Sequence, residues 1–523
     1  MDSTRQSLID EINKRVRDKI LEQTNADLLI KLITNADSLD EAINIAALGT
    51  TYKRTGLHFD KRLEKMGDEI RYFKKNEKLS FRTDDAKPVN KLIIGDNYQA
   101  LQNLLIQYRG KIDVIYIDPP YGKDSMGEFA KTNYNNAITR DNLLSMLYPR
   151  LVLARQLLSD EGVIFCSIDD KNQAYVKCLF DEIFGEENFV GNFIWEKTKN
   201  PNSTANNIGV KHEFIISYGK NSEFVSNYVD YTEDELKEYR FADNYLQSRG
   251  KYKLVGLNKT GTINDVRENL QYDIIAPDGS TIRPNPRWRW SKEKLEKSIQ
   301  ENRVVFSKNK NKWSVYYKQY LNEDTNGNKI ERGKFVSTII NIGTTTEGTS
   351  DLSKVMGKGT FDFPKPIRLL SHFINIQANP NSTILDFFAG SGTTGHAVLD
   401  LNKSDGGNRT FILCQLNEKT DANPNGIAYD VTSKRLKRIM TGECYDGSKD
   451  FPWIKDNEPY GGNLDVYEIE EVLNSESTED KTPFDVIDET LYGKEKFQTV
   501  KEKIEWVCQN FDKTQSRIPE EEK

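Results

Sequence analysis

The run Val114-Ile115-Tyr116-Ile117-Asp118-Pro119-Pro120-Tyr121 decides how the chain folds. Four apolar residues, two of them isoleucine and one valine, suit a strand buried on both faces, and two prolines end it abruptly. The same grammar continues on either side. Residues 91–94, 112–117, 162–168 and 189–195 read as strands, and residues 141–158 and 172–184 read as helices between them. Such alternation implies an α/β fold with a doubly wound, mostly parallel sheet covered by helices on both faces. From about residue 200 to 350 the order dissolves into a polar stretch rich in Asn, Lys, Tyr and Trp. It resumes with a helix at 367–376, a strand at 383–388, a helix at 394–401 and a strand at 410–416. Apolar spacing between Ser7 and Leu48 predicts two amphipathic helices. The expected organisation is a helical N-terminal region (1–87), an α/β core in two pieces (88–199 and 351–440) split by an insert (200–350), and an acidic, α-rich C-terminal region (441–523).

With 523 residues the chain exceeds what one core usually organises, so a main domain with appendages is expected. Twenty-four Phe and 24 Tyr supply enough aromatic bulk to exclude a largely disordered chain, despite a mean hydropathy of -0.68. The first fifteen residues are polar and carry both charge signs, unlike a secretory signal, and no apolar run reaches membrane-spanning length. The five cysteines are scattered and never spaced C-x-x-C, which argues against a disulfide framework or a zinc site and for a cytoplasmic location. The net charge of -7 conceals two opposed regions. Residues 281–340 hold 14 Lys or Arg against 6 Asp or Glu, a local +8, and residues 451–523 hold 9 against 19, a local -10.

In an open α/β sheet ligands collect beyond the carboxyl ends of strands, so Asp118-Pro119-Pro120-Tyr121 lies where an active site belongs. A stiff backbone there can aim the Asp118 carboxylate and the Pro119 carbonyl at the two hydrogens of an amino group, with the Tyr121 ring stacked on the base that bears it. A proline-stiffened turn with a solvated Asp is the plainer alternative. The second motif is Asp386-Phe387-Phe388-Ala389-Gly390-Ser391-Gly392-Thr393-Thr394-Gly395, a strand passing through a glycine loop into a helix. Gly390, Gly392 and Gly395 fit G-x-G-x-x-G, and Glu418 closes the next strand where an acidic residue can bind ribose hydroxyls. These residues alone suit any adenosine-containing cofactor, so a dinucleotide-dependent oxidoreductase remains a rival. No Gly-Lys-Ser/Thr occurs, which excludes a P-loop nucleotidase. The basic insert interleaves Arg287-Trp288-Arg289-Trp290 and Lys308, Lys310, Lys312, Trp313, a mixture suited to phosphate contact and base stacking or to a solvated charged face.

Together the two motifs resemble the amino-methyltransferases, whose signatures are Asp-Pro-Pro-Tyr and Phe-x-Gly-x-Gly. The catalytic motif precedes the cofactor motif across a long insert, the order of the β group of that family. Gly95-Asp96-Asn97, Phe363-Pro364-Lys365-Pro366, Asp160-Glu161-Gly162, the run Phe184-Gly185-Glu186-Glu187-Asn188-Phe189 and His212-Glu213-Phe214-Ile215 strengthen the likeness, particularly to the modification subunits of type III restriction systems. The resemblance implies a permuted Rossmann-like domain with an inserted DNA-recognition region and helical N- and C-terminal segments. It implies S-adenosyl-L-methionine as cofactor, no metal, and transfer of a methyl group to N6 of an adenine flipped out of double-stranded DNA. Asp118, Pro119, Pro120 and Tyr121 would take the base. Asp96, Asn97, Lys365, Asp386, Phe388, Gly390, Gly392 and Glu418 would hold the cofactor, with Asp96 toward its adenine, Lys365 toward its carboxylate and Glu418 on its ribose. Arg287, Arg289, Lys308, Lys310 and Lys312 would contact DNA. A homodimer and a separate helicase-nuclease restriction subunit are the partners implied. No Pro-Cys pair is present for attack on cytosine carbon 5, which leaves an amino nitrogen as the acceptor.

Overall fold

The computed structural model describes residues 3–17, 21, 23–48, 69–121, 139–200, 208–227, 236–259, 267–310, 312–330, 333, 335–473 and 482–515. Parts of the expected N-terminal, inserted and C-terminal regions, such as residues 49–68, 201–207 and 516–523, lie outside these. Ten strands form one sheet: β1 (Glu69–Lys75), β2 (Val89–Ile94), β3 (Ile112–Ile117), β4 (Leu158–Ile168), β5 (Phe189–Glu196), β6 (His212–Gly219), β7 (Ile339–Ile340), β8 (Thr383–Asp386), β9 (Thr410–Gln415) and β10 (Asn463–Leu473). Their order is β1-β10-β2-β9-β8-β3-β4-β6-β5-β7. The six strands from β10 to β4 run parallel, whereas β1, on β10, and β6, between β4 and β5, are antiparallel to their neighbours.

The apolar run of β3 explains why this sheet is covered twice. Successive side chains of a strand point to opposite faces. Ile115 and Ile117 enter one core with Leu101 and Leu104 of helix α4 (Asn97–Tyr108), Leu147 and Leu151 of α5 (Thr139–Leu157), and Val176 and Phe180 of α6 (Gln173–Phe184). Val114 and Tyr116 enter a second core with Leu369 and Phe373 of α7 (Ile367–Asn375) and Ala397 and Val398 of α8 (Thr393–Asp405). The doubly wound, mostly parallel architecture expected from the sequence is the one observed, and its strands fall within a few residues of the predicted ones.

Three differences stand out. The interruption of the core is narrower than residues 200–350: His212–Gly219 is a full sheet strand, with Ile215, Ile216 and Tyr218 wholly buried, and Ile339–Ile340 pairs with β5. Residues 441–523 are not purely helical, because Asn463–Leu473 inserts between β1 and β2 and buries Leu464, Val466 and Tyr467. The N-terminal periodicity breaks into three helices, α1 (Ser3–Arg17), α2 (Gln23–Asn35) and α3 (Leu39–Leu48), around Ile9, Ile12, Ala26 and Ile33.

Within the insert, Tyr252–Gly256, Val304–Asn309 and Lys312–Tyr320 form a three-stranded antiparallel sheet. Its core holds Leu257, Ile274, Trp288, Trp290, Leu295 and Val315. This corrects the reading of Arg287-Trp288-Arg289-Trp290 as a row of contact residues: both tryptophans are interior, the Trp288 indole N–H donates to the Tyr272 carbonyl at 2.7 Å, and Arg287 is only 4% exposed. Short strand Arg287–Trp288 pairs with Asn258–Lys259 and is covered on both faces. Arg289 stays exposed, as do Lys308, Lys310 and Lys312 at the tip of the hairpin. Replacing Trp288 with Ala is therefore expected to cost the insert about 3 to 5 kcal/mol of stability. Lys308→Ala should change it by no more than about 0.5 kcal/mol. Urea denaturation followed by tryptophan fluorescence checks both, and a Trp288→Ala protein as stable as its parent would restore the surface reading.

Candidate active site

Strands β3 and β8 are neighbours, with Val114 beside Ile384 and Ile115 beside Leu385, so the two loops that follow them open side by side. Strand order reverses between them: β8, β9 and β2 continue one way, β3, β4 and β6 the other. This switch point leaves a crevice beyond the strand ends. A cavity of about 840 Å³ fills it, lined by Asp118, Pro119, Pro120 and Tyr121 from one loop and Phe388, Gly390 and Glu418 from the other side, with Asn97, Glu213 and Lys365 between.

The glycine loop is held from several directions. Asp386, buried at the end of β8, accepts from the Phe388 amide at 3.0 Å and from the Thr394 hydroxyl. The Gly390 amide donates to Gln415 Oε1 at 2.6 Å, and Thr432 donates to the Gly390 carbonyl at 2.6 Å. Gly390 has φ of 51°, and a Cβ there would stand 3.1 Å from the Phe361 ring, so glycine is required both for the turn and for the close approach. Asn97 donates to the Phe387 carbonyl at 2.8 Å and itself accepts from the Arg150 Nε at 2.5 Å.

The tetrapeptide Asp118–Tyr121 is fixed as well. Asn172 donates to the Tyr121 carbonyl at 2.9 Å. The Tyr121 hydroxyl donates to Asp118 Oδ1, and Lys365 Nζ donates to Asp118 Oδ2 at 2.7 Å. Lys365 also stands 3.2 Å from Glu213 Oε2, and Lys197 donates to Glu213 Oε1 at 2.9 Å. Burial alone would lower the Lys365 ammonium, but the Asp118 and Glu213 carboxylates outweigh it and raise its pKa. Burial likewise opposes ionisation of Glu213, yet Lys365 and Lys197 hold it below the ordinary carboxylate range. Burial and then Asp118 push the Tyr121 phenol well up, so it stays a hydrogen-bond donor.

Residues 112–421 match the DNA methylase family, and residues 5–114 match a family described as an uncharacterised conserved protein. The chain belongs to the DNA methylase family. It is 31% identical over 360 residues to the type III restriction-modification enzyme StyLTI Mod subunit of Salmonella typhimurium, covering 64% of this chain and 53% of that one. It is 32% identical to the type II methyltransferase M.KpnI of Klebsiella pneumoniae, covering 72% and 93%, and 30% identical to the type III restriction-modification enzyme EcoP15I Mod subunit of Escherichia coli, covering 70% and 65%. It thus spans about half the length of the first of these relatives.

Among the residues singled out in this methylase sequence, Asn97, the tetrapeptide, Lys365, Phe388, Gly390 and Glu418 line one cavity. Asp96 does not line it. Its carboxylate caps α4 through the Tyr98 and Gln99 amides and pairs with buried Arg150, so it braces the Asn97 contact. Gly392, in the left-handed region at φ of 78°, turns the loop into α8, and Asp386 organises that loop from beneath. The Lys365 ammonium is engaged by two carboxylates. Gln415, Lys197 and Glu213 line the cavity without having been assigned a role from sequence. The signal for Glu213 was a carboxylate opening an otherwise apolar strand. Strand β6 runs antiparallel to β4 and begins where β4 ends, with Phe214 beside Ile168, and this puts Glu213 at the cavity edge of the sheet. No group of His, Cys, Asp and Glu among the described residues forms a metal cluster. Among them, too, no helix is long and apolar enough to cross a membrane.

Burial raises the Asp386 carboxyl to about 7, against the hydrogen bonds from Thr394 and Phe388. The folded state then holds this proton more tightly than the unfolded chain, whose ordinary value is near 3.9. Its contribution to stability is present below about pH 4 and lost as pH rises toward 7, by a few kcal/mol at most. The stability advantage of the wild type over Asp386→Asn should therefore shrink across that window in denaturant titrations. A constant difference would show that Asp386 ionises normally.

Proposed function

We propose that this chain is a site-specific DNA methyltransferase that modifies N6 of an adenine extruded from the duplex. The observation that carries the reading is the convergence of Asp118–Tyr121 and Phe388–Gly392, some 270 residues apart in sequence, in one cavity at the switch point of the sheet. The cavity fits S-adenosyl-L-methionine: a bare backbone at Gly390, where a Cβ would crowd the Phe361 ring across the cavity, and a carboxylate at Glu418 for the ribose. When bound, that cofactor supplies an electrophilic methyl group. Asn97, Phe388, Gly390 and Glu418 would hold it, with Asp386 supporting the loop.

Within a duplex the adenine amino group is out of reach, so the base must leave the stack. The Tyr121 ring offers it a face, while the Asp118 carboxylate and the Pro119 carbonyl accept from the two amino hydrogens. Those bonds draw the nitrogen lone pair out of conjugation and orient it, which is polar preorganisation rather than full proton abstraction. Adenine is favoured over the cytosine amino group by the Asp-Pro-Pro-Tyr form of the motif and by the likeness to Mod subunits. Their names also support a modification role in a type III restriction-modification system. The homodimer and the separate restriction subunit rest on the motif resemblance alone.

Sequencing that detects modified bases in DNA from cells expressing the chain tests the base and the site together. Asp118→Ala should keep its fold and lose activity by a factor on the order of a hundred to a thousand. Tyr121→Ala should weaken retention of the extruded base by about 1 to 3 kcal/mol, read from 2-aminopurine fluorescence, and Tyr121→Phe should keep most of it. An Asp118→Ala enzyme with normal turnover would remove the proposal.

The exposed hairpin tip carries the DNA-contact reading of the insert. Lys308 is paired with Asp278 at 2.8 Å, so Lys310 and Lys312 are the freer cations to meet phosphate. Affinity for DNA should fall with salt by roughly 0.9 log units per log unit for each phosphate neutralised. Replacing Lys308, Lys310 and Lys312 with Ala should flatten that slope and leave cofactor binding intact, whereas an unchanged slope places DNA elsewhere.

A further inference from the structure

Four charges alternate through the cavity: Asp118, Lys365, Glu213 and Lys197. Lys365 Nζ is 2.7 Å from Asp118 Oδ2 and 3.2 Å from Glu213 Oε2, and Lys197 Nζ is 2.9 Å from Glu213 Oε1. The Lys365 and Glu213 side chains are each 10% exposed. With Tyr121 on the other oxygen, both carboxylate oxygens of Asp118 are engaged by donors of the chain itself. An amino group seeking a hydrogen bond to Asp118 competes with these donors for its oxygens, the ammonium being the stronger rival, and a buried ammonium stripped of its counter-charge is strongly disfavoured.

We propose that Glu213 is a positioning residue that takes Lys365 from Asp118, freeing the carboxylate oxygen that accepts from the acceptor amine. The proposal rests on the methyltransferase reading and adds a residue to it. Because Glu213 already lies beside the ammonium, the transfer needs only a small shift, keeps a carboxylate on the ammonium throughout and leaves the net charge of the cavity unchanged. Lys197 anchors the far oxygen of Glu213, so the carboxylate stays in place while Lys365 moves. Glu213 is held from the sheet as well, since it sits opposite Trp195 in the β5–β6 ladder. The groups facing Lys365 are Asp118, Tyr116 and Tyr121 from β3 and its loop, Glu213 from β6, and the Trp195 ring 5.9 Å away on β5.

The test is Glu213→Gln in the full chain. Turnover on a duplex bearing the cognate site should drop on the order of ten-fold, as expected when an ammonium keeps only one of two carboxylate partners, while KM for DNA and thermal stability hold. Glu213→Asp should recover part of the rate. A second measurement needs no methyl transfer: with Glu213 neutral, Lys365 gives up its proton at lower pH, so an acylating reagent at pH 9 should label it faster, read by peptide mass spectrometry. Wild-type turnover in Glu213→Gln, or wild-type labelling of Lys365, overturns the assignment even where Asp118→Ala is inactive. Failure of the wild-type chain to methylate DNA instead defeats the proposed function, and this inference with it.

Discussion

The parallel pairing of β3 with β8 is the constraint from which the rest of the molecule follows. It places a stiff, proline-ended loop beside a glycine loop, and because the strands point the same way both loops open on one edge. Neither loop would make a site alone. One offers a carboxylate and an aromatic ring, the other a bare glycine backbone, and the shared cavity needs both walls. A register slip of one residue would turn Val114 and Tyr116 into the wrong core and carry Asp118 away from the crevice. The two hydrophobic layers on either face therefore act as the alignment device for the chemistry.

Around that pairing the polar contacts divide the labour. Neutral donors and acceptors, among them Asn97, Asn172, Gln415 and Thr432, fix backbone carbonyls and amides, which keeps both loops rigid without adding charge. Four charged groups, Asp118, Lys365, Glu213 and Lys197, form an alternating row in which each carboxylate has an ammonium partner. In such a row Lys365 lies between two carboxylates, so its charge stays compensated even if one contact lengthens.

How much of this could be read from the chain depended on the range of the cause. The strands at Ile112–Ile117 and Thr383–Asp386 were legible because their apolar runs and their closing Pro or Gly residues are local signals. Their adjacency has no local signal and is set by parallel pairing across the sheet. The Arg287-Trp288-Arg289-Trp290 segment misled because alternation of cation and aromatic looks alike whether a strand lies on a surface or folds over its own small core. Antiparallel β6 lay hidden in polar surroundings, and with it the reason Glu213 reaches the cavity, since strand direction is decided by tertiary pairing. Asp96 was read as a ligand and is found as a helix cap, a role open to any Asp ahead of an amphipathic run.

The outer strands carry a consequence for how the molecule is made. Glu69 lies beside Leu473, and Val89 beside Asn463, so the edge of the sheet is knit from the two distant flanks of the chain. A ribosome would release β1 and β2 long before their partner exists. Until β10 arrives, the outer flank of β2 is an open ladder, and closing it spans nearly four hundred residues of intervening chain, a slow step that local helices cannot shorten. The nascent protein must therefore spend much of its synthesis with an unsealed edge, and the final strand acts as the latch that ends its exposure to mispairing.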